Sequence, residues 1–86
     1  MNNNKLPGVI ELDIHGMTKH QAKVYIDSRL KQAKADTYII RVIHGCHSGT
    51  ELRKMVREEY KDNPKVKRVE HSLNPGVTEL VLRELY

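Results

Sequence analysis

Three residues of this 86-residue chain have the types and spacing for chemistry: Asp13, His15 and His44. Asp13-Ile14-His15-Gly16 and Ile43-His44-Gly45 each carry an imidazole directly before a glycine, at the end of an apolar run. One carboxylate and two imidazoles can divide general-base and general-acid roles, the chemistry of phosphodiester cleavage. Gly16 and Gly45 would let a ligand backbone come close. A helix starting after Cys46-His47-Ser48-Gly49-Thr50 would aim free N–H groups at the same place, a seat for phosphate. Arg53, Lys54 and Arg57 on that helix, with Lys19 and Lys23 on an earlier one, would hold backbone phosphates.

The same residues have plainer readings. Asp13 can cap the turn at Gly16, and a histidine before a glycine can merely shape a strand-to-helix turn. His20 and His71 read as surface residues. His15, His44, Cys46 and His47 include zinc-ligand types, yet no Cys-x-x-Cys unit accompanies them and His-x-Cys-His matches no standard zinc spacing. Cys46 before a helix could form a thiolate, but no acyl-transfer constellation surrounds it.

The elements that must position these residues follow from pattern. Val9 to Ile14 alternates, with Ile10, Leu12 and Ile14 on one face and Glu11 and Asp13 on the other, and predicts a strand. Thr18 to Gln21 has the form of a capping box, with Met17 as a staple against Ala22. The helix it opens carries Ala22, Ile26, Leu30 and Ala33 on one stripe and should run to about Ala35. Tyr38 to Ile43 is broken only by Arg41 and fits a strand buried on both faces. Ser48 to Glu51 offers a second capping box, and Leu52, Met55, Val56 and Tyr60 form the next apolar stripe, stopped by Asp62-Asn63-Pro64. Val66–His71 and Val77–Leu82 then make a hairpin around Asn74-Pro75-Gly76-Val77, which suits a type II turn.

The order β-α-β-α-β-β with right-handed crossovers predicts an α/β two-layer sandwich. Its four-stranded sheet is expected to be mostly parallel with an antiparallel last strand, both helices covering one face. In open α/β sheets the functional crevice lies beyond the carboxyl ends of the parallel strands. If the first two strands are neighbours, Asp13, His15 and His44 converge there.

Composition narrows the class. Eighty-six residues allow one domain, read as a disordered leader over 1–8 and a folded unit over 9–86. The N-terminal Met-Asn-Asn-Asn-Lys-Leu-Pro is not a secretory signal, and no apolar window reaches the ~18 residues of a membrane span. A single cysteine excludes an internal disulfide framework and suits a cytoplasmic setting. A net charge of +4 leans towards an anionic partner, although 15 basic residues are mixed with 11 acidic ones.

These residues resemble a known pattern. Leu12-Asp13-Ile14-His15-Gly16, a helix, Val42-Ile43-His44-Gly45, and a glycine loop leading into Leu52-Arg53 resemble the small MutS-related (Smr) domain. Asn74-Pro75-Gly76-Val77-Thr78-Glu79-Leu80-Val81-Leu82 resembles that domain's closing strand. The likeness spans about residues 9–85 and suggests a stand-alone Smr protein. It implies a sandwich similar to the C-terminal domain of bacterial translation initiation factor three, and a function in binding nucleic acid, DNA or RNA, with endonuclease activity in several members and action at ribosomes in some. By this resemblance Asp13 and His15 fall on the Asp-x-His motif linked to cleavage. His44, Gly45 and Gly49 fall on the glycine loop linked to nucleic-acid contact; Gly16 at the end of the first strand and His47, Ser48 and Thr50 are expected contacts beside them. The loop departs from the usual His-Gly-x-Gly-x-Gly-x-Leu-Arg: Cys46 and His47 stand at the basic residue and middle glycine, and one extra residue precedes Leu52.

Two functions follow as expectations. One is an endonuclease in which His15 and His44 exchange protons with Asp13 orienting an imidazole, or in which Asp13 binds Mg²⁺ or Mn²⁺. The other is a non-enzymatic RNA- or ribosome-binding module, favoured by the altered loop. A protein-interaction domain has less support, since each helix has only one apolar side.

Overall fold

The computed structural model describes residues 7–46 and 50–84. Its elements are β1 (Val9–Asp13), α1 (Lys19–Gln32), β2 (Ile39–Ile43), α2 (Glu51–Glu59), β3 (Arg68–His71) and β4 (Val77–Val81). The sheet order is β1-β2-β4-β3. β1 and β2 pair in parallel, with Leu12 opposite Val42 and Asp13 opposite Ile43. The hairpin folds back so that β4 slots between β2 and β3, antiparallel to both. Three strands share a direction, as expected, but the sheet is mixed rather than mostly parallel because two of its three pairings are antiparallel.

Each helix owes its place to a local signal. The Thr18 hydroxyl accepts from the Gln21 N–H at 3.1 Å, and the Gln21 side chain accepts from the Thr18 N–H at 3.0 Å, closing the expected capping box. α1 ends at Gln32, before the expected Ala35, because the Ala33 backbone turns extended. Thr50 precedes α2 without a side-chain cap. The second capping box, expected from Ser48, begins outside the described residues. α2 closes through Tyr60, whose carbonyl accepts from the Asn63 N–H at 3.2 Å.

Both helices cover one face. Leu12, Ile14, Ile40, Val42 and Leu80 from the sheet meet Ala22, Ile26 and Leu30 of α1 and Val56 and Tyr60 beside α2, forming one cluster. Burying these side chains removes apolar surface from water at about 25 cal/mol per Å², the main stabilising term. Tyr60 is fully buried and donates its hydroxyl to Asp27 Oδ1 at 2.6 Å, so the largest core side chain also ties α2 to α1.

β2 corrects one expectation. Ile40 and Val42 are buried, whereas Ile39, Arg41 and Ile43 are half-buried, so one face of the strand meets the helices and the other is open. With no second helix layer among the described residues, that face tolerates Arg41 between Glu11 and Glu79, at 3.2 Å from each.

The hairpin turn differs as well. The Val77 N–H donates to the Asn74 carbonyl at 3.1 Å, yet Gly76 is not among the positive-φ glycines Gly8, Gly16 and Gly45, so the turn is not type II. Gly76 sits close to Gly45 instead. A Cβ there would stand 3.3 Å from the Gly45 Cα, and the Gly76 carbonyl accepts from the N–H groups of His44 at 2.9 Å and Gly45 at 3.0 Å. The hairpin is thereby docked against the end of β2. Residues 1–6 of the expected leader lie outside the described residues, and the Gly8 carbonyl accepts from the Tyr38 and Ile39 N–H groups.

Candidate functional site

β1 and β2 end side by side, and the Ile14 N–H donates to the Ile43 carbonyl at 2.9 Å. Asp13, His15, Gly16, His44 and Gly45 therefore occupy one edge of the sheet, as the sequence predicts. Asp13 and His44 leave this edge on opposite faces of the sheet. Leu12 and Ile14 point to the helix layer, which sends Asp13 to the open face; Val42 and His44 point to the helix layer.

Asp13 and His15 form a pair. Asp13 Oδ1 accepts from the His15 backbone N–H at 3.1 Å and from its ring Nδ1 at 2.5 Å, with the two side chains 53% and 68% exposed. These two bonds from His15 hold the Asp13 carboxyl below the usual carboxylate range. Because a carboxylate only accepts, Nδ1 carries a proton, and in the neutral ring the lone pair is then on Nε2. The carboxylate thus fixes the orientation of an exposed imidazole.

His44 is 2% exposed, and both ring nitrogens are engaged. Nδ1 lies 3.0 Å from the Gly45 carbonyl, and Nε2 lies 2.9 Å from Thr78 Oγ1. The Gly45 carbonyl can only accept, so Nδ1 bears the hydrogen and Nε2 accepts from the Thr78 hydroxyl. The Thr78 oxygen in turn accepts from Arg57 Nε at 3.2 Å. Burial lowers the His44 pKa, and nearby Arg57 and Arg53 lower it further, against the Gly45 carbonyl bond. Desolvation, then Arg53, lowers that of Arg57.

The expected phosphate contacts split into two groups. Arg53 and Arg57, four residues apart on α2, lie close enough to His44 for their charge to act on it, and none of the ion pairs among the described residues involves either. Lys19, Lys23 and Lys54 instead line an open groove of about 560 Å³ between the helices, with Glu51, Glu58 and Glu59. Lys19 pairs with Glu51 at 3.6 Å, and Lys23 with Asp27 at 3.2 Å and Glu59 at 3.9 Å. Neighbouring acids thus compensate much of that positive charge.

Gly16 and Gly45 have φ of +82° and +84°, backbone that L side chains rarely adopt. Thr50 and Cys46 are exposed at either end of the loop, whereas His47, Ser48 and Gly49 lie outside the described residues. No group of three or more His, Cys, Asp or Glu that could hold a metal is found among the described residues. For Mg²⁺ or Mn²⁺ the edge supplies one carboxylate, whose Oδ1 already accepts two hydrogen bonds, so water and substrate phosphate would have to provide most of the remaining ligands.

Sequence reasoning missed Thr78 and the approach of Gly76 to Gly45. A signal existed for the first: Thr78 shares a strand face with Leu80, so its hydroxyl had to be buried and partnered.

Comparison with known proteins agrees with this architecture. The Smr domain family model matches residues 12–78, so the chain belongs to the Smr domain family, one known for nucleic-acid binding and nuclease-type domains. Among solved structures it is similar to the Smr domain of MutS2 from Thermus thermophilus, at 28% identity and a TM-score of 0.78, with 87% of this chain and 99% of that chain covered. No curated protein matches. Among the described residues, no helix is long and apolar enough to cross a membrane.

Proposed function

We propose that this chain binds RNA across the sheet edge and cleaves it there, with the Asp13–His15 pair as the reacting group and Arg53 and Arg57 holding the backbone. The observation that supports this reading is the pairing itself: an exposed imidazole with one nitrogen fixed by a carboxylate and the other without a partner among the described residues, at the edge that also carries Gly16 and Gly45. His15 Nε2 removes the proton of a ribose 2′-hydroxyl, that oxygen attacks phosphorus, and the 5′ oxygen leaves and takes a proton from water. The products are a cyclic phosphate and a 5′-hydroxyl end. RNA suits this chemistry because it carries its own nucleophile, while DNA would need an activated water. His44, expected as a second proton carrier, holds the edge together instead, since both its nitrogens are occupied. His47, Ser48, Gly49 and Thr50 complete the contact loop, and Lys19, Lys23 and Lys54 add charge along the helices.

The setting is cytoplasmic, in keeping with one free cysteine. A second reading, a binding module that docks on RNA or a ribosomal surface without cutting, draws support from the uncharged Cys46 where a basic residue is usual in the glycine loop. One assay separates the two: purified protein is incubated with labelled single-stranded RNA and with plasmid DNA, with and without EDTA. RNA cleavage that persists in EDTA supports the dyad. Salt-sensitive binding with no cleavage favours the module. Cleavage that EDTA abolishes turns Asp13 into a metal ligand.

A further inference from the structure

Thr78 has no assigned role of its own, yet it is the fully buried hydroxyl through which a histidine and an arginine meet. It lies on β4, the strand between β2 and β3, so its position is set by ladder bonds on both sides. A threonine has one hydrogen to give and two lone pairs. The His44 ring, with Nδ1 donating to the Gly45 carbonyl, accepts the Thr78 hydrogen at Nε2. The oxygen is then oriented with its lone pairs towards Arg57, whose Nε donates at 3.2 Å. From the Gly45 carbonyl to the guanidinium, each group fixes the next.

Arg57 is consequently unlike the other cations on α2. Its Nε is committed to the fold, and its two terminal nitrogens are paired with no carboxylate among the described residues. An arginine whose Nε is anchored while the terminal fork stays open is preorganised for a phosphate, because the rotamer entropy of the side chain has already been lost on folding.

We propose that Thr78 and His44 are positioning residues that hold Arg57 in its phosphate-binding geometry. The proposal rests on the reading of Arg57 as a backbone-phosphate ligand. It also explains a buried polar pair in a strand face that is otherwise apolar: the hydroxyl and the imidazole satisfy each other and deliver a charge to the sheet edge.

The test is a double-mutant cycle on binding of a short labelled oligouridylate, with Thr78→Val, Thr78→Ser, Arg57→Ala and the Thr78→Val/Arg57→Ala pair, together with ¹⁵N NMR of side chains in the unmodified protein. Thr78→Val is expected to weaken binding about tenfold and Thr78→Ser to restore most of it. In the Arg57→Ala background Thr78→Val should add little, because the residue it positions is gone. NMR should show His44 neutral with the hydrogen on Nδ1, and a slowly exchanging Arg57 Nε–H that disappears in Thr78→Val. An Nε2–H tautomer of His44, or equal weakening by Thr78→Val with and without Arg57, overturns the proposal while leaving RNA binding intact. If Thr78→Val does not fold, the tautomer and the Thr78→Ser result still decide it. Absence of oligouridylate binding by the unmodified protein removes the nucleic-acid reading, and this proposal with it.

Discussion

Replacing His15 by alanine and, separately, Asp13 by asparagine should have very different effects on RNA cleavage. His15→Ala deletes the base, and positioned acid–base groups contribute about 10²- to 10⁴-fold to a rate, so a loss in that range is expected. Asp13→Asn keeps an oxygen that can accept from the His15 Nδ1 and backbone N–H groups, and removes only the charge. Two unit charges about 4 Å apart are worth about 1 kcal/mol in bulk water and about 4 kcal/mol at a screened protein surface. With Asp13 and His15 side chains 53% and 68% exposed, the solvent-screened end applies. Asp13→Asn should then slow cleavage only about fivefold to tenfold, since 1.36 kcal/mol is one decade in rate. The assay is single-turnover cleavage of end-labelled single-stranded RNA with enzyme in excess. Equal, large losses in both variants would refute the reasoning, because Asp13 would then act directly, as a metal ligand or a proton carrier. Undiminished cleavage by His15→Ala would refute the dyad outright.

Other consequences concern the frame around the site. Tyr60→Phe removes a 2.6 Å bond to a half-exposed carboxylate and should cost about 1.5 kcal/mol, read as a lower urea midpoint or a fall in Tm of about 6–12 °C. His44 binds a proton more weakly when folded, owing to burial and then to Arg57 and Arg53, so its stabilising contribution is complete above the unfolded pKa of about 6.5 and is lost as pH falls towards the folded value. Urea unfolding followed across that window should show a slope that His44→Asn lacks. Gly45→Ala forces alanine to φ +84° and should cost about 1–2 kcal/mol of stability, read as a lower urea midpoint, while its methyl meets His15 Cβ only at ordinary contact distance, 3.5 Å.

Much of this arrangement is legible in the sequence because local rules and tertiary demands coincide. The alternation of Val9 to Ile14, the Thr18–Gln21 box and the stop at Asp62-Asn63-Pro64 each name their element, and the parallel pairing of β1 with β2 brings Asp13, His15 and His44 to one edge. The orientation of His44 was also within reach. It shares parity with Val42, which faces the helices, while Asp13 has the parity of Glu11, which does not. Ile39, Ile40, Val42 and Ile43 hid that parity by being apolar on both faces, so β2 reads as doubly buried when it is covered on one side only. The strand order was the part without a local signal. A hairpin can add to either side of a neighbouring strand, and the choice of β4 over β3 as the partner of β2 rests on long-range contacts such as Gly76 against Gly45. Thr78 escaped for the same reason, since its partners lie 34 and 21 residues away.

Amide chemical-shift mapping during titration with single-stranded RNA tests most directly whether nucleic acid meets this edge of the sheet. Shifts concentrated at Gly16, Gly45, Gly76, Arg53 and Arg57 are the predicted result. Shifts confined to the opposite end of the strands, around Lys34, Thr37 and Lys65, would contradict it.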